Sequence, residues 1–283
     1  MTYAVKSHRL QRDGVPVAFR ATPNKGGVLT PEVIVLHDTA GRLDGTSSIN
    51  WLCDKAAKAS AHFVVGRGGE ITQLASTNVA TWHAGQSRHA GRVNVNGFSV
   101  GIEIVNPGIL QAAGPGKAKA WFGQVFDVAE HGIEARTTPE HGAGLWMPYT
   151  EAQIETVAAM CVALVAATPT IGDITTHWAI SPGRKVDTNP LFPLAQVRGR
   201  VFGRQDVPPT DDDTDAATTV GLNLRRWPSL ADNIIAVLPK GTRLRIVRSG
   251  VFENAGASAR WFLVEAAGLG EGWVHGGYLA LDR

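Results

Sequence analysis

Residues 32–41 read EVIVLHDTAG, and this stretch decides the fold of the larger part of the chain. The apolar run EVIVL predicts a buried strand, and it passes through His37 directly into the polar sequence DTAG. A side chain at the end of a buried strand is held rigidly and still reaches a cleft, so His37 is a candidate functional residue. Taken alone, His37 more commonly would be a hydrogen-bonded histidine at a sheet edge.

Further strands and helices extend outward from this run. Other β-type runs follow at residues 60–65, 71–74 and 98–105. Residues 47–58 carry apolar side chains at helical spacing, and residues 151–167 give the clearest helix signal, because Thr150 and Gln153 form a T-x-x-Q capping box. The predicted buried stripe of this helix is Ile154, Val157, Cys161, Leu164 and Val165. Strands interleaved with helices predict an α/β domain with a central mixed β-sheet flanked by helices.

Composition sets the domain organisation. The chain has 283 residues, of which 44% are hydrophobic and 18% charged, and this excludes disordered, collagen-like and coiled-coil proteins. Residues 205–219 read QDVPPTDDDTDAATT and have too little apolar surface to fold. We therefore predict a first domain at 1–204, an acidic linker at 205–217 and a second domain at 218–283. Short β-type runs after the linker predict a small all-β barrel.

The charge balance, the apolar stretches, the N-terminal residues and the two cysteines bear on partners, location and redox state. The formal net charge is +2, so we expect no nucleic-acid partner. We also expect no membrane insertion, since no apolar stretch approaches the roughly 20 residues of a spanning helix. The first 13 residues contain no signal-peptide core, so we expect synthesis in the cytoplasm. We also expect a monomer. Cys53 and Cys161 either pair or stay reduced.

A second group of chemistry-bearing residues lies in a Gly/Pro-rich segment. Residues 175–192 read TTHWAISPGRKVDTNPLF and contain His177, Lys185 and Asp187. With His37 they supply two imidazoles and one carboxylate, which suffice for a catalytic zinc that keeps one position for water. Zinc in such a site lowers the pKa of its water to about 7 and polarises a carbonyl. The spacing alone matches no short metal-binding motif.

Five ordered blocks resemble the zinc-dependent N-acetylmuramoyl-L-alanine amidases of type 2, the peptidoglycan-recognition-protein-like family. The blocks are VIVLHDTAG (33–41), SAHFVVGRGGEI (60–71), TWHAGQS (81–87), GFSVGIEIVN (97–106) and THWAISPGRKVDTNPLF (176–192). The resemblance implies Zn²⁺ held by His37, His177 and Asp187. It also implies that Glu103 is a general base and that Lys185 stabilises the oxyanion. Without the resemblance, Glu103 would more simply be a strand carboxylate that faces solvent or pairs with an arginine.

The resemblance also implies substrate contacts. His83 and Trp82 belong to the W-H-A-G block, whose members contact the substrate. His83 is the stronger candidate for such a contact, and Trp82 is more typical of a packing residue. Arg67 and Arg92 match positions that hold stem-peptide carboxylates in some members, a role that suits a bidentate guanidinium. Either arginine is equally compatible with an ordinary surface position. His62 matches no family ligand, so we assign it a structural or supporting role.

Residues 107–148 form a long insertion before the capped helix. Such insertions are often lids or binding loops, and we expect this one to form a wall of the substrate groove rather than a second metal site. Residues 122–130 are a candidate short helix within it.

Residues 218–281 resemble bacterial SH3-like domains, which commonly bind peptidoglycan through aromatic-lined grooves. Trp227, Trp261 and Trp273 are candidates for such a groove, and they are equally candidates for the barrel core. The alternative for the whole domain is a stabilising module without a ligand.

Together these features imply an endolysin-like, bacteriolytic peptidoglycan hydrolase that cleaves between N-acetylmuramic acid and L-alanine. Its partner is peptidoglycan or a muropeptide, and it acts at the cell wall after release by lysis, a holin or a secretion machine. Two alternatives remain at this point: a non-catalytic peptidoglycan receptor on the same fold, and a zinc peptidase that cuts within the stem peptide.

Overall fold

The computed structural model describes residues 2–202, 215–226, 228, 230, 233–254, 257–267 and 269–281. The chain divides into two compact units, Met1–Val201 and Phe202–Arg283. Residues 205–214 of the predicted linker and Trp227 lie outside the described residues. Within the described part of the chain, no helix combines the length and apolar character needed to cross a membrane.

The first unit contains most of the secondary structure. Its strands are β1 (Tyr3–Lys6), β2 (Arg9–Arg12), β3 (Val15–Pro16), β4 (Ala18–Phe19), β5 (Lys25–Val28), β6 (Val33–Asp38), β7 (Phe63–Val65), β8 (Ile71–Gln73), β9 (Val79–Thr81), β10 (Arg88–His89), β11 (Arg92–Val93), β12 (Ser99–Ile104), β13 (Ile109–Ala112), β14 (Lys117–Lys119), β15 (Val125–Asp127), β16 (Glu134–Thr138), β17 (Gly142–Trp146) and β18 (Asp173–Thr176). Its helices are α1 (Thr46–Leu52), α2 (Glu151–Ala167), α3 (His177–Ile180) and α4 (Leu194–Phe202), with 3₁₀ turns at Lys55–Ala57 and Val95–Gly97.

A mixed six-stranded sheet lies at the centre of this unit, in the order β18-β6-β12-β7-β8-β4. The strands β18, β6, β12 and β7 run parallel, while β8 runs antiparallel to β7. Every residue of β6 is buried, as its unbroken apolar run predicts for a central parallel strand. The predicted α/β class with a central mixed sheet is confirmed.

Helix α2 has the predicted bounds and the predicted N-terminus. Thr150 accepts the Gln153 backbone N–H, and the Gln153 side chain accepts the Thr150 N–H, so the capping box is complete. The buried face differs in part from the predicted stripe, because Ile154 and Val165 are only half-buried. The buried residues of the helix are Gln153, Thr156, Val157, Ala158, Met160, Cys161, Ala163 and Leu164. Both cysteines are free.

The insertion folds as a five-stranded antiparallel sheet, in the order β15-β14-β13-β17-β16. It has a core of its own, formed by Leu110, Ala118, Ala120, Phe126, Ile133 and Met147. The helix expected at residues 122–130 is wrong, because Val125–Asp127 pairs with β14 as a strand. Alternation of side chains between the two faces of the sheet buries Phe126 here, and a helix would not meet this core with the same residues.

The second unit is rich in strands. These are β19 (Asp215–Thr218), β20 (Leu222–Arg225), β21 (Ile234–Leu238), β22 (Arg243–Asn254), β23 (Ala257–Ala266), β24 (Gly270–His275) and β25 (Leu279–Leu281), with a 3₁₀ turn at Gly276–Tyr278. Their order is β21-β20-β24-β23-β22-β19-β25. The last three residues of the predicted linker therefore belong to β19, whose Ala216 is fully buried.

The tryptophans described in the second unit are packing residues. Trp261 and Trp273 are 1% and 7% exposed and form a cluster with Leu263. The neighbouring residues Phe262 and Val264 join the main core, because successive strand residues point to opposite faces.

Candidate functional site

The carboxyl ends of three parallel strands bring the predicted residues together. His37 lies at the end of β6, and Glu103 of β12 is its register partner, so both side chains project from the same face. His177 follows β18 directly, on the other side of β6, and begins α3. The edge at which parallel strands end is the usual position of a site in an open α/β sheet.

Asp187 completes the group from the loop after α3. The ligand atoms of His37, His177 and Asp187 all lie within 4.8 Å of one another. His177 Nδ1 is 2.9 Å from His37 Nδ1 and 2.9 Å from Asp187 Oδ2, which is 3.3 Å from His37 Nδ1. Both histidines are almost fully buried, whereas the Asp187 side chain is 17% exposed. The structure thus places two imidazoles and a carboxylate around one point.

The proton on His37 is determined by a chain of hydrogen bonds that begins at the carbonyl of Val95. A carbonyl only accepts, so Ser99 Oγ–H donates to Val95 O at 2.6 Å. Ser99 Oγ then accepts from His83 Nε2–H at 3.1 Å, which leaves His83 Nδ1 as an acceptor. His37 Nε2–H donates to that atom at 2.9 Å. His37 Nδ1 therefore carries a lone pair and no proton.

Two groups face His177 Nε2 at 3.3 Å: the carbonyl of Ala84, which accepts, and Arg184 Nη2, which donates. Arg184 Nη2 has closer acceptors in Ala84 O, Gln86 O and Ser181 Oγ at 2.7–2.8 Å, so the tautomer of His177 with a proton on Nε2 and a lone pair on Nδ1 satisfies these contacts. Burial, together with the nearby His177, lowers the pKa of His37 to about 4, which keeps this imidazole neutral. Two imidazole lone pairs and a carboxylate oxygen thus converge at hydrogen-bond distance. Such lone pairs repel one another unless a cation lies among them, so this donor set fits a metal ion.

Glu103 is the neighbouring acid. Its Oε2 is buried and has no hydrogen-bond partner. Burial, reinforced by the nearby carboxylates of Asp187 and Asp38, raises the pKa of Glu103 well above its ordinary value. Glu103 also lines a cavity of about 460 Å³. An unpartnered carboxyl of raised pKa in the lining of a cavity suits proton transfer to and from a bound molecule.

Lys185 lies on the loop that leads to Asp187. Its side chain is half-buried, and its charge lowers the pKa of both His37 and Glu103. A cation this near the two groups is positioned to stabilise negative charge that forms between them.

The four expected substrate contacts are not among the residues that line this cavity. His83 is 7% exposed and lies behind His37. Trp82 is 39% exposed, so its indole is partly packed against the protein. Arg67 donates to the carbonyl of Pro148 and to Gln153 Oε1 at 3.0 and 3.1 Å.

Arg92 lies at the surface. It pairs with Glu32 and packs over the ring of Phe98, with 3.9 Å between the guanidinium carbon and the ring centroid. Neither arginine is therefore held towards the cavity, since each has partners elsewhere in the first unit.

His83 contacts His37, which the sequence did not indicate; the sequence analysis predicted a substrate contact for His83. Gly101 makes room for it, because a Cβ at residue 101 would lie 2.5 Å from the imidazole ring. His62, for which we expected a structural or supporting role, bonds to two backbone groups: its Nε2–H donates to Val79 O, and its Nδ1 accepts the Gly101 N–H at 3.0 Å. Only a neutral ring satisfies both bonds, in accord with burial that lowers the pKa of His62 to about 4.

Sequence reasoning also missed the groups that brace the Asp187 loop. Asp38 Oδ2 accepts the backbone N–H of Asn189 at 3.0 Å, and Tyr149 donates to the other oxygen of Asp38. Burial raises the pKa of Asp38 to about 8. His141 of the insertion contacts the carbonyl of Thr188 at 2.9 Å. No local pattern signals these contacts, because each joins residues far apart in the sequence.

Comparisons with known proteins bear on both units. A family model described as N-acetylmuramoyl-L-alanine amidase matches residues 27–190, and a bacterial SH3 domain model matches residues 220–280. The 1,6-anhydro-N-acetylmuramyl-L-alanine amidase AmpD of Salmonella typhimurium is 30% identical over 145 residues, which are 51% of this chain and 58% of that protein. The N-acetylmuramoyl-L-alanine amidase AmiD of Escherichia coli is 27% identical over 180 residues, 61% of this chain and 54% of that protein.

One solved structure is AmiD of E. coli in complex with anhydro-N-acetylmuramic acid-L-Ala-D-γ-Glu-L-Lys. It is 26% identical, with a TM-score of 0.46, and the match covers 71% of this chain and 66% of that one. The chain thus spans little more than half the length of the curated relatives it matches.

Proposed function

Because the chain belongs to the N-acetylmuramoyl-L-alanine amidase family, whose model spans residues 27–190, we propose that it hydrolyses the amide between N-acetylmuramic acid and L-alanine in peptidoglycan. The observation that carries this proposal is the convergence of His37, His177 and Asp187 beside the unpartnered Glu103. Amide hydrolysis can use a metal ion that activates water and a nearby acid that transfers protons, and this group of residues provides a place for both.

Zinc is the proposed metal, held by Nδ1 of His37, Nδ1 of His177 and a carboxylate oxygen of Asp187. Two imidazoles and one carboxylate form a typical catalytic zinc site with a position left open. When bound, zinc supplies a Lewis acid that polarises the substrate carbonyl and lowers the pKa of water.

The chain's own residues move the proton and stabilise charge. Glu103 takes a proton from the attacking water on its free oxygen and returns that proton to the leaving nitrogen of L-alanine. Its raised pKa makes it a stronger base than an exposed glutamate. The Lys185 ammonium stabilises the negative charge that develops on the carbonyl oxygen.

The second unit is proposed to bind the cell wall, because residues 220–280 match the bacterial SH3 domain. Together the units support an endolysin-like, bacteriolytic role at the wall, reached by lysis, a holin or a secretion machine. Residues 1–204 and 218–283, on either side of the acidic segment 205–217, carry net charges of +4 and +3, which favours approach to an anionic wall.

The test is to incubate the purified chain with peptidoglycan, with and without a chelator, and to identify the products by mass spectrometry. We expect stem peptides with a free L-alanine amino group, released only without the chelator. Cuts within the stem would instead indicate a peptidase, and binding without products would indicate a receptor.

Two variants separate metal binding from proton transfer. Glu103→Gln should keep its zinc and lose hydrolysis by about 10²–10⁴-fold, since it can no longer accept the proton. Asp187→Ala should lose zinc itself, measured by elemental analysis. Glu130→Gln, an exposed acid of the insertion, is the matched control and should behave as the unaltered chain. Full activity in Glu103→Gln would remove this residue from the mechanism.

A further inference from the structure

We propose that the cavity of about 460 Å³ that Glu103 helps to line is a saccharide subsite, which holds the amino-sugar ring on the glycan side of the scissile amide. This inference rests on the proposed function, because it assigns one half of that substrate to a place on the chain. Besides Glu103 and residues 39–41, the lining consists of residues outside the five matching blocks, which come from the insertion, from helix α1 and from Arg42.

Three aromatic side chains, Trp51, Trp121 and Phe122, line the cavity. Its lining comprises Thr39, Ala40, Gly41, Arg42, Ser47, Ser48, Trp51, Leu52, Glu103, Trp121 and Phe122. Trp51 is 55% exposed and Trp121 is 78% exposed. Two such indoles around one cavity leave large apolar faces in water, which is unfavourable unless a ligand covers them.

The ring of Trp121 is held in place although it is exposed. Its Nε1–H donates to the carbonyl of Ala40 at 2.7 Å. Phe122 packs against it edge to face, with 5.7 Å between the ring centroids. The loop that carries Ala40 is in turn packed on α1, since a Cβ at Gly41 would lie 2.4 Å from Ser48 Oγ. The indole thus presents a fixed face to a ligand, and little ordering entropy is lost on binding.

The polar groups at the rim favour an uncharged ligand with an apolar face. Arg42, near the ring of Phe122, and Glu103 are the charged residues of the lining, and the others are aromatic, aliphatic or hydroxyl-bearing. A stem peptide carries several carboxylates that would need partners. A pyranose ring instead offers C–H groups to an indole face and hydroxyls to Thr39, Ser47 and Ser48.

Glu103 belongs both to the lining of the cavity and to the candidate catalytic group. It lines the cavity and is the register partner of His37. A sugar seated against Trp51 and Trp121 therefore has its lactyl amide beside the acid proposed to receive the proton.

The experiment measures binding of two fragments that lack the scissile bond, by calorimetry on the zinc-loaded full chain. One probe is N-acetylglucosamine, an uncharged amino sugar with the same ring and no lactyl carboxylate, and the other is the tripeptide L-Ala-γ-D-Glu-L-Lys. Trp121→Ala and Trp51→Ala should each weaken sugar binding by about tenfold and leave tripeptide binding unchanged. Val125→Ala, an exposed residue of the same hairpin outside the lining, should change neither affinity.

Kinetics on a muramoyl peptide supply the second readout. Trp121→Ala should raise KM by about tenfold with kcat within twofold, because the sugar is held equally in the ground and transition states. Unchanged sugar affinity in both tryptophan variants, loss of the tripeptide instead, or no sugar binding by the unaltered chain would overturn the subsite. Sugar binding that depends on Trp121 in a chain without hydrolysis would retain the subsite and reject the amidase activity.

Discussion

At the residue scale, which ring nitrogen of His37 carries the proton depends on a carbonyl that His37 does not contact, that of Val95. The hydrogen bonds from Val95 through Ser99 and His83 leave His37 Nδ1 with a free lone pair. Partners of this kind orient a ligating histidine and raise its basicity. We infer from this contact that His83 positions His37 for the proposed metal.

We predict that His83→Phe lowers zinc affinity by about 10–100-fold, because the ring volume is kept while His37 Nε2–H loses its acceptor. Competition with a chelating dye measures this affinity. Ser99→Ala should change it in the same direction and by less, since His83 remains. His131→Phe, a histidine of the insertion, should bind zinc as before, and the same result for His83→Phe would contradict the role.

His62 predicts a pH dependence of stability. Its pKa is about 4 in the folded chain and 6.5 in the unfolded chain. Between these values the unfolded chain binds a proton that the folded chain refuses, so the free energy of unfolding falls as pH falls from 6.5 towards 4. The loss is up to about 3 kcal/mol, and none arises above pH 6.5.

Urea unfolding of the metal-free chain at pH 7.5 and 4.5 measures this loss in the transition of the first unit. His62→Gln should show a smaller difference between the two pH values than the unaltered chain. The exposed His8 serves as control, and His8→Gln should keep the full difference. Equal differences in all three proteins would show that His62 does not contribute.

At the element scale, the capping box of α2 also joins the helix to the turn between β7 and β8. Thr150 Oγ1 accepts the Gln153 N–H and donates to the carbonyl of Arg67. Thr150→Ala should lower the free energy of unfolding by about 1 kcal/mol. Chemical denaturation measures this free energy. The control is Thr137→Ala at an exposed position of β16, which should stay within about 0.5 kcal/mol of the unaltered chain. A neutral Thr150→Ala would mean that water replaces the cap.

Elements also explain which parts of the fold were predictable. The start of α2 and the strand that carries His37 follow from local signals, a capping box and an apolar run. The insertion gave no such signal, because its short strands alternate irregularly and are stabilised by pairing with one another. Its single predicted helix was wrong for that reason.

At the scale of the whole molecule, the two units predict separable activities. A chain that ends after residue 202 should hydrolyse a soluble muramoyl peptide within twofold of the full chain, because every residue of the candidate site precedes that point. Its binding to insoluble cell walls should fall sharply, as a sedimentation assay would measure. Undiminished sedimentation would assign wall binding to the first unit.

The sequence by itself determined the family, the class of fold and, through the resemblance of five ordered blocks, the residues that converge at the candidate metal site. These depend on patterns within short segments, which can be recognised without knowing how the elements pack. Tertiary structure alone decided that His83 lies behind His37, that Arg67 and Arg92 are engaged elsewhere, and that Trp121 joins Trp51 around a cavity. The physical reason is that these contacts join residues tens of positions apart, such as Ala40 and Trp121, whose meeting depends on how whole elements pack.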